Sequence, residues 1–315
     1  MMKLSKSQCE IFHEQGYLHV PDALPMESLD KVVCDLDRVV DEVAQRLYAE
    51  GSICDLHVDK SFENKIAFLS RDSGLSLQQF VSFPRNRSQA LFDFMHDPLL
   101  LELVESLVGP EIYGHPCQYI RAKLPQSIIG SDYEDFANKS PVHQDAGVLL
   151  PEADNTLVIT TWIPLVDATV ESGTLRVYPN YHRGEILTHV HSPGYGLTIH
   201  PDCMPKTEPE VINVDKGGLL ILAGRTPHGS EVNRSDIVRW SMDLRWNDAN
   251  MPSGRPMPGF IAKSAMRELT RYNEWDDAWK ECLADKTPRK VWRWDNPSEV
   301  SKPSRPTPVV GAKGL

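Results

Sequence analysis

Apolar residues in the first part of the chain recur with a helical period. Between positions 26 and 47 they fall at spacings of three and four, while acidic and basic residues fill the opposite face, so we predict an amphipathic helix that packs on a core. A shorter helix is predicted over 5–15, where a serine can cap the start and Gly16 can end it, followed by a strand over 17–20. Helix and loop near a site entrance are predicted over 50–87, and helix again over 89–109.

Beyond Pro110 the apolar pattern changes to short segments separated by proline, glycine, asparagine and aspartate, which is typical of strands joined by turns. Eight such segments match the number in a double-stranded jelly roll. The fold class we predict is mainly β with flanking helices: a double-stranded β-helix (jelly-roll, cupin-like) core with N-terminal helices packed on one sheet. The predicted strands are 112–124, 142–149, 157–165, 174–178, 185–191, 210–214, 218–223 and 237–246.

The remaining segments complete the expected domain organisation. Residues 192–209 are long enough for a lid or a binding loop. Helix is predicted from 262, with a stripe that covers the core and consists of Met266, Leu269, Tyr272, Trp275 and Trp279. We expect a single domain over 1–295, made of a helical part (1–110), the jelly-roll core (111–247) and a helical C-terminal extension (260–295). Residues 296–315, rich in proline, serine and lysine, are expected to form a flexible tail.

Composition narrows the classes of partner. The chain has 315 residues, with 33 lysines and arginines against 44 aspartates and glutamates, for a net charge of −11. This acidic balance argues against nucleic acid or an anionic membrane as a general partner. No apolar run approaches the ~20 residues that span a bilayer, and the N-terminus lacks the apolar core of a signal peptide. Six scattered cysteines without a CxxC pair indicate reduced thiols, so we expect a cytoplasmic protein, monomeric or homodimeric, that acts on a small molecule.

Two residues separated by one position, His143 and Asp145, are candidate metal ligands. On a β-strand their side chains would share one face, because side chains alternate with period two. An imidazole and a carboxylate on one face form two-thirds of the 2-His-1-carboxylate set of non-haem Fe(II) oxygenases. The chain contains a second such triplet, His57-Val58-Asp59, and most triplets of this kind are surface features. The residues that follow the first triplet distinguish it from the second.

A candidate third ligand follows the predicted strand 218–223. His228 lies just past the end of this strand, where it could reach a metal held by His143 and Asp145. Its neighbours Pro227 and Gly229 restrict the turn and allow close approach of the backbone. The alternative is a hydrogen-bonded surface histidine.

The predicted strand 237–246 has two different faces. Its polar face carries Arg239, Ser241, Asp243 and Arg245, and large apolar side chains alternate with them. The polar face either contacts water or lines a cavity. In a cavity, an inward arginine helped by a serine hydroxyl would suit the distal carboxylate of a dicarboxylate, because the planar guanidinium binds carboxylates through two hydrogen bonds.

In the order and spacing of these motifs, the chain resembles the phytanoyl-CoA dioxygenase-like family of Fe(II)/2-oxoglutarate-dependent oxygenases. The resemblance extends over residues 8–247. The motifs that carry it are Phe12-x-x-x-Gly16-Tyr17, His143-Gln144-Asp145, Trp162, Ser172-Gly173-Thr174-Leu175-Arg176-Val177-Tyr178-Pro179-Asn180-Tyr181-His182, Gly217-Gly218-Leu219-Leu220, Thr226-Pro227-His228-Gly229-Ser230 and Arg239-Trp240-Ser241. No part of the chain beyond residue 260 contributes to it.

The resemblance implies a metal, a cosubstrate and a reaction. His143, Asp145 and His228 are the implied ligands of Fe(II), and 2-oxoglutarate and O₂ are the implied cosubstrates. The implied reaction hydroxylates an unactivated C–H bond of a small-molecule metabolite and releases succinate and CO₂. Members that halogenate replace the carboxylate ligand with a small residue, and Asp145 retains it, so hydroxylation is favoured.

The resemblance also implies a site for the cosubstrate. Arg239 is expected to bind the distal carboxylate of 2-oxoglutarate, with Ser241 or Ser230 assisting. Lys123 is either a basic residue of this site or a solvated lysine at the end of a strand. Trp162 either packs on the cosubstrate or belongs to the core.

Two alternatives concern the function and the other histidines. The main alternative is a cupin-like metal protein without oxygenase turnover, either a Zn or Mn hydrolase or isomerase or a binding module; a buried carboxylate anchor at Arg239 would argue against it. His182 lies in Pro179-Asn180-Tyr181-His182, where the family has Pro-Gly-Ser-His, and we expect a structural role for it. His189 and His191 share a strand face without a matching carboxylate, so we expect them on the barrel wall or the surface.

Overall fold

Helices dominate the N-terminal third of the structure, a computed structural model that describes residues 3–130, 140–192, 196–291 and 293–294. Ser5 and Gln8 cap the first helix reciprocally, and Gly16 ends it with a positive φ of 83°. The predicted helix over 89–109 is divided in two, because Asp97 caps a new helix that begins at Pro98. The helices are α1 (Lys6–Gln15), α2 (Met26–Ala49), α3 (Lys65–Ser73), α4 (Gln78–Val81), α5 (Gln89–Met95), α6 (Pro98–Val108), α7 (Gln126–Ile129) and α8 (Tyr272–Ala284).

The strands form antiparallel sheets. They are β1 (Tyr17–Val20), β2 (Ile112–Gly114), β3 (Tyr119–Lys123), β4 (Ile159–Pro164), β5 (Leu175–Val177), β6 (His189–Ser192), β7 (Gly196–Ile199), β8 (Glu210–Ile212), β9 (Leu219–Ala223), β10 (His228–Ser230), β11 (Arg239–Asp248) and β12 (Phe260–Lys263). The larger sheet has the order β1-β9-β4-β11-β2-β12, with β3 also paired to β11. A smaller sheet has the order β10-β5-β8, and β6 pairs with β7.

The larger and smaller sheets face each other across a shared apolar core. Trp162, Leu220 and Leu222 of the larger sheet pack in one buried cluster with Leu175 and Val177 of the smaller sheet. Two antiparallel sheets that enclose a core in this way form a jelly roll. The predicted fold class, a mainly β jelly-roll core with flanking helices, is therefore confirmed.

The outer face of the larger sheet packs against helices. Ile163, Ile221 and Met242 alternate with the inward residues of their strands and belong to the same core cluster as Leu36 of α2 and Leu103 of α6. Because the outer face is buried in this way, the inward face of β11 is left to line the space between the sheets. That space contains the site described below.

Several predicted strands agree with the structure, and others do not. The predictions for β4, β5, β8, β9 and β11 agree within two residues at each end. The predicted strand 112–124 is two strands, β2 and β3, and the segment 185–191 becomes a strand only at His189. Residues 142–149 do not form a strand, because His143 makes an isolated bridge and a 3₁₀ turn covers Asp145–Val148.

The C-terminal region differs from its prediction in two respects. Residues 260–263 form a strand that extends the larger sheet, and helix begins only at Tyr272. Met266 and Leu269 are therefore exposed, at 86% and 47%, whereas Trp275 and Trp279 are buried as predicted. The predicted tail at 296–315 lies outside the described residues.

Two further observations bear on the compositional expectations. All six cysteines are unbridged in the structure. Among the described residues, no helix combines the length and the apolarity that crossing a membrane would need.

Candidate metal centre

Three side chains that are distant in sequence converge between the two sheets. His143 and His228 lie side by side, because each backbone N–H donates to the carbonyl of the other at 2.9 Å. Their ring centroids are 4.5 Å apart. Asp145 begins the 3₁₀ turn that follows His143, and its Oδ1 lies 3.7 Å from Nε2 of His143. One ligand atom from each of the three residues lies within 4.8 Å of the other two.

Hydrogen bonds fix the tautomer of both histidines. Nδ1 of His143 lies 2.9 Å from the Pro141 carbonyl, and Nδ1 of His228 lies 3.0 Å from the Thr226 carbonyl. A carbonyl only accepts, so in each neutral ring Nδ1 carries the proton and Nε2 keeps a free lone pair. Burial, assisted by the neighbouring His228, lowers the pKa of His143 to about 3, so that ring is neutral at physiological pH. This is the form in which histidine binds a metal.

The carboxylate of Asp145 is held at both oxygens. The guanidinium of Arg245 forms a buried ion pair with Oδ1, and Oγ1 of Thr160 donates to Oδ2 at 2.5 Å. Burial alone would raise the pKa of Asp145, but the adjacent guanidinium outweighs it and holds the pKa well below its usual value. Asp145 is therefore ionised and fixed in orientation.

This donor set fits a ferrous ion. Two imidazoles whose Nε2 atoms keep a lone pair and one ionised carboxylate are the donors of a facial triad, which would leave coordination positions of a bound ion for further ligands. Within the described parts of the chain, no other group of histidine, cysteine and acidic side chains meets the same distance criterion. The free volume inside this ring of side chains is about 20 Å³, which is room for an ion or a water molecule.

Thr160→Val is expected to weaken metal binding about 10-fold, because hydrogen bonds that orient a ligand typically contribute this much or more. Valine keeps the shape of threonine but cannot donate to Asp145. Thr160→Ser keeps the hydroxyl and serves as the control. Calorimetric titration of the metal-free protein with Co(II) measures the difference, and equal affinity in the valine and serine variants would contradict this role.

The predicted cosubstrate residues lie along the inward face of β11 and its neighbours. Arg239 is buried, and its Nη1 donates to Oγ of Ser241 at 3.0 Å. The ring centre of Trp162 is 5.2 Å from Cζ of Arg239. Lys123 pairs with Arg239 in the register of β3 and β11; it is fully buried and donates to the Glu231 carbonyl at 2.7 Å. The alternative of a solvated Lys123 is therefore wrong.

The arginines of the pocket are unequally neutralised. Arg121 pairs with Asp243 at 2.6 Å, and Arg245 pairs with Asp145. Arg239 has no carboxylate within ion-pair distance among the described residues, and its Nε lacks a hydrogen-bond partner. Burial lowers its pKa to about 10. Asp243 offsets part of the Arg239 charge from a distance, but Asp243 itself pairs with Arg121. A buried cation without a carboxylate at ion-pair distance is costly, so this position is suited to an anionic ligand.

Ser230 is a second buried donor without a partner. Its Oγ makes no hydrogen bond to any described residue, and it lies on the same face of β10 as His228, two residues away. Arg239, Ser241 and Ser230 are thus all buried, and their binding of one carboxylate of a dicarboxylate stays a prediction.

The other candidate histidines lie elsewhere. Nε2 of His57 pairs with Asp72 at 2.7 Å, while Asp59 pairs with the adjacent Lys60, so the second triplet does not form a ligand pair. Nε2 of His182 lies 3.1 Å from the carbonyl of His13, in agreement with the structural role expected for it.

His189 and His191 have different environments, although one strand carries both. His191 is exposed. His189 is completely buried behind the Asp145 turn, where its Nε2 accepts from the N–H of Gln144 at 3.0 Å.

Sequence reasoning missed the two residues that hold Asp145. Arg245 was placed on the correct face of its strand, but its partner could not be identified from alternation. Thr160 lies two residues before Trp162 on the same strand face. This alternation is the sequence feature that indicates an inward position for Thr160.

Comparisons with known proteins agree with this geometry. The family model described as phytanoyl-CoA dioxygenase (PhyH) matches residues 12–241. Dioxygenase aneA of Aspergillus aculeatus is 29% identical over 162 residues, which are 48% of this chain and 47% of that protein. The chain therefore spans about half the length of the curated relative it matches.

Several solved structures share the fold. ThoJ in its apo form, described as a non-heme monooxygenase, matches with a TM-score of 0.62 and 16% identity over 88% of this chain and 94% of that chain. The epimerase SnoN in complex with Fe3+, alpha ketoglutarate and nogalamycin RO gives a TM-score of 0.53 and 19% identity over 84% and 93% of the two chains. EvdO2 from Micromonospora carbonacea var. aurantiaca gives 0.54 and 20% over 86% and 96%.

Proposed function

Because the chain belongs to the phytanoyl-CoA dioxygenase (PhyH) family, we propose that it is an Fe(II)- and 2-oxoglutarate-dependent dioxygenase. We further propose that it hydroxylates an unactivated C–H bond of a small-molecule metabolite. The observation that carries this proposal is the combination of a buried 2-His-1-carboxylate set with a buried arginine that lacks a carboxylate partner. Either feature alone occurs in other classes of protein; together they match one metal and one dicarboxylate.

Each residue of the site has a defined task in this proposal. His143, Asp145 and His228 hold Fe(II), and Arg239 holds the distal carboxylate of 2-oxoglutarate. With both bound, O₂ and 2-oxoglutarate are converted to succinate and CO₂, and one oxygen atom enters the substrate as a hydroxyl group. The chain itself binds and orients the reactants.

The pocket wall supports both the exclusion of water and the binding of a polar substrate. Trp162 and Leu222 of the larger sheet and Leu175 of the smaller sheet line it with apolar surface, which limits the access of water to the metal position. Arg121 and Asp243 also line the pocket, and in the part of the chain that the structure describes Oδ1 of Asp243 has no hydrogen-bond partner. We place a hydrogen-bond donor of the substrate at this oxygen.

The same fold supports more than one reaction outcome. SnoN is described as an epimerase, so the fold does not fix the product. Retention of the carboxylate ligand Asp145 favours oxygen transfer over halogenation in this chain. The cupin-like alternative without oxygenase turnover does not explain the buried Arg239, since a hydrolase binds no cosubstrate carboxylate there.

Anaerobic addition of Fe(II) and 2-oxoglutarate to the metal-free protein is expected to produce a weak visible charge-transfer band. In air, a metabolite screen is expected to find compounds that stimulate release of succinate above the uncoupled background, with products that gain one oxygen atom. Metal binding without this band and without succinate would favour the cupin-like alternative. A product of unchanged composition would favour epimerisation.

A further inference from the structure

The backbone that carries Asp145 is fastened on both sides by residues outside the metal centre. After Asp145, the Ala146 N–H donates to the Gly224 carbonyl at 2.7 Å and ties the turn to the end of β9. Before it, the Gln144 N–H donates to Nε2 of the buried His189 at 3.0 Å. These contacts hold the backbone N–H groups of the two residues that flank Asp145 in sequence. They do not supply hydrogen bonds to the carbonyls at the end of the turn.

Three consecutive carbonyls of this turn, those of Gly147, Val148 and Leu149, accept hydrogen bonds from the C-terminal part of the chain. The donors, in the same order, are Trp294 Nε1 (2.7 Å), Arg255 Nη1 (2.9 Å) and Arg293 Nε (3.0 Å). Carbonyls at the end of a 3₁₀ turn have no partner within the turn itself, so these donors satisfy groups that would otherwise need water.

Val291, Arg293 and Trp294 form what we call the C-terminal strap. Arg255 joins the strap to the turn, because its Nη1 also donates to the Val291 carbonyl at 2.6 Å. The guanidinium of Arg293 also forms an ion pair with Asp154. The strap and Arg255 lie beyond the residues that the family model matches, 12–241. The family match therefore does not account for them.

The strap also contacts the residue that supports the turn from behind. The rings of Trp294 and His189 lie 5.8 Å apart with an angle of 31° between their planes. There is no space for a side chain at position 147 beside the His189 ring, since a Cβ on Gly147 would lie 2.6 Å from it. Trp294 thus contacts the turn through its N–H, and its ring packs near His189, which holds the turn from behind.

We infer that the C-terminal strap positions Asp145 for metal binding, by holding the turn that directs this carboxylate at His143 and His228. The inference rests on the metal site proposed above. Without the strap, the carbonyls of Gly147 and Leu149 lose their donors, and Arg255 loses the Val291 carbonyl that it also binds. The turn can then shift by the small distance that a metal ligand does not tolerate. Groups that orient a ligand typically change metal affinity 10–100-fold.

Trp294→Phe in the whole chain tests the strap by removing one hydrogen bond, the one from Trp294 Nε1 to the Gly147 carbonyl. Phenylalanine retains a ring against His189 but has no N–H for the Gly147 carbonyl, so we expect Co(II) to bind about 10-fold more weakly. Trp279→Phe is the matched control, because Trp279 is buried in α8 and its Nε1 has no partner. Affinity is measured by calorimetry, and the visible spectrum of bound Co(II) reports the coordination.

Arg293→Gln provides a second, independent variant. Its control is Arg289→Gln, since Arg289 pairs with Asp285 four residues away from it rather than with the turn. We expect weaker Co(II) binding for Arg293→Gln and for the double variant with Trp294→Phe, where the loss approaches 100-fold. Arg289→Gln is expected to bind as the wild type does.

The outcomes separate this inference from the proposed function. Wild-type Co(II) affinity in both Trp294→Phe and Arg293→Gln would contradict the positioning role of the strap. An equal loss of Co(II) affinity in Trp279→Phe would contradict it as well, because it would indicate general destabilisation. Melting temperatures of the metal-free proteins check this second case. A wild-type protein that binds no Co(II) would instead overturn the metal site itself.

Discussion

Replacing His143 or Asp145 with alanine is expected to abolish iron-dependent turnover, whereas His57→Ala leaves it intact. Each of the first two variants removes one of three ligands, and a two-ligand site loses most of its metal affinity, so we expect a decrease of about three orders of magnitude or more. His57 belongs to the second HxD triplet, but its ring pairs with Asp72 away from the site. Succinate release and Co(II) titration measure the two effects.

The two alanine variants differ in their expected effect on folding. Asp145→Ala leaves the Arg245 guanidinium buried without its carboxylate, which costs about 3–5 kcal/mol of unfolding free energy. His143→Ala leaves that ion pair intact and is the cleaner test. Denaturant unfolding of the metal-free proteins separates loss of fold from loss of metal. Turnover that survives in Asp145→Ala but not in His57→Ala would mean that the other triplet holds the metal.

The inward face of β11 shows what local sequence patterns can predict. Alternation alone placed Arg239, Ser241 and Arg245 on one face, because period two is a property of any strand. It could not decide whether that face was wet. The tertiary fold decides this. Strand β11 lies inside the sheet, where Arg245 is opposite Thr160 and Arg239 is opposite Lys123, and both arginines are buried.

His143 and Asp145 converge as predicted, but the local structure around Asp145 is not the predicted strand. His143 and Asp145 were predicted to share a face of one strand, but Asp145 lies in a 3₁₀ turn. What brings the ligands together is the pairing of His143 with His228, a contact between distant segments that no local pattern encodes. The spacing of His143 and Asp145 is compatible with metal binding in a turn as well as in a strand, and the tertiary fold determines which of the two forms.

The C-terminal strap shows where sequence patterns carry no information. Trp294 and Arg293 belong to a short irregular segment without periodicity, and their partners, the carbonyls of Gly147 and Leu149, are backbone atoms. A backbone acceptor leaves no trace in the sequence at its own position. The contact between this segment and the turn that carries Asp145 is a feature of the tertiary structure alone.

Arg239→Gln is expected to weaken 2-oxoglutarate binding about 100-fold or more, since each hydrogen bond to a charged group contributes about 1.5–3 kcal/mol and a guanidinium can donate two. Metal affinity should change little, because the ligands do not contact Arg239. Titration of the anaerobic Fe(II) protein with 2-oxoglutarate, followed by the charge-transfer band, gives the dissociation constant. Arg267→Gln, at an arginine that pairs with Glu111, is the control.

Stability distinguishes a ligand-binding arginine from a structural one at position 239. A structural arginine has a carboxylate partner, and its removal destabilises the protein. Arg239 has none at ion-pair distance among the described residues, and Asp243 offsets its charge only in part. Arg239→Gln therefore relieves a costly buried charge and should leave the unfolding free energy of the ligand-free protein unchanged or higher. Adding 2-oxoglutarate to the metal-loaded protein should then stabilise the wild type far more than the variant. Equal stabilisation of both would mean that the cosubstrate carboxylate binds elsewhere.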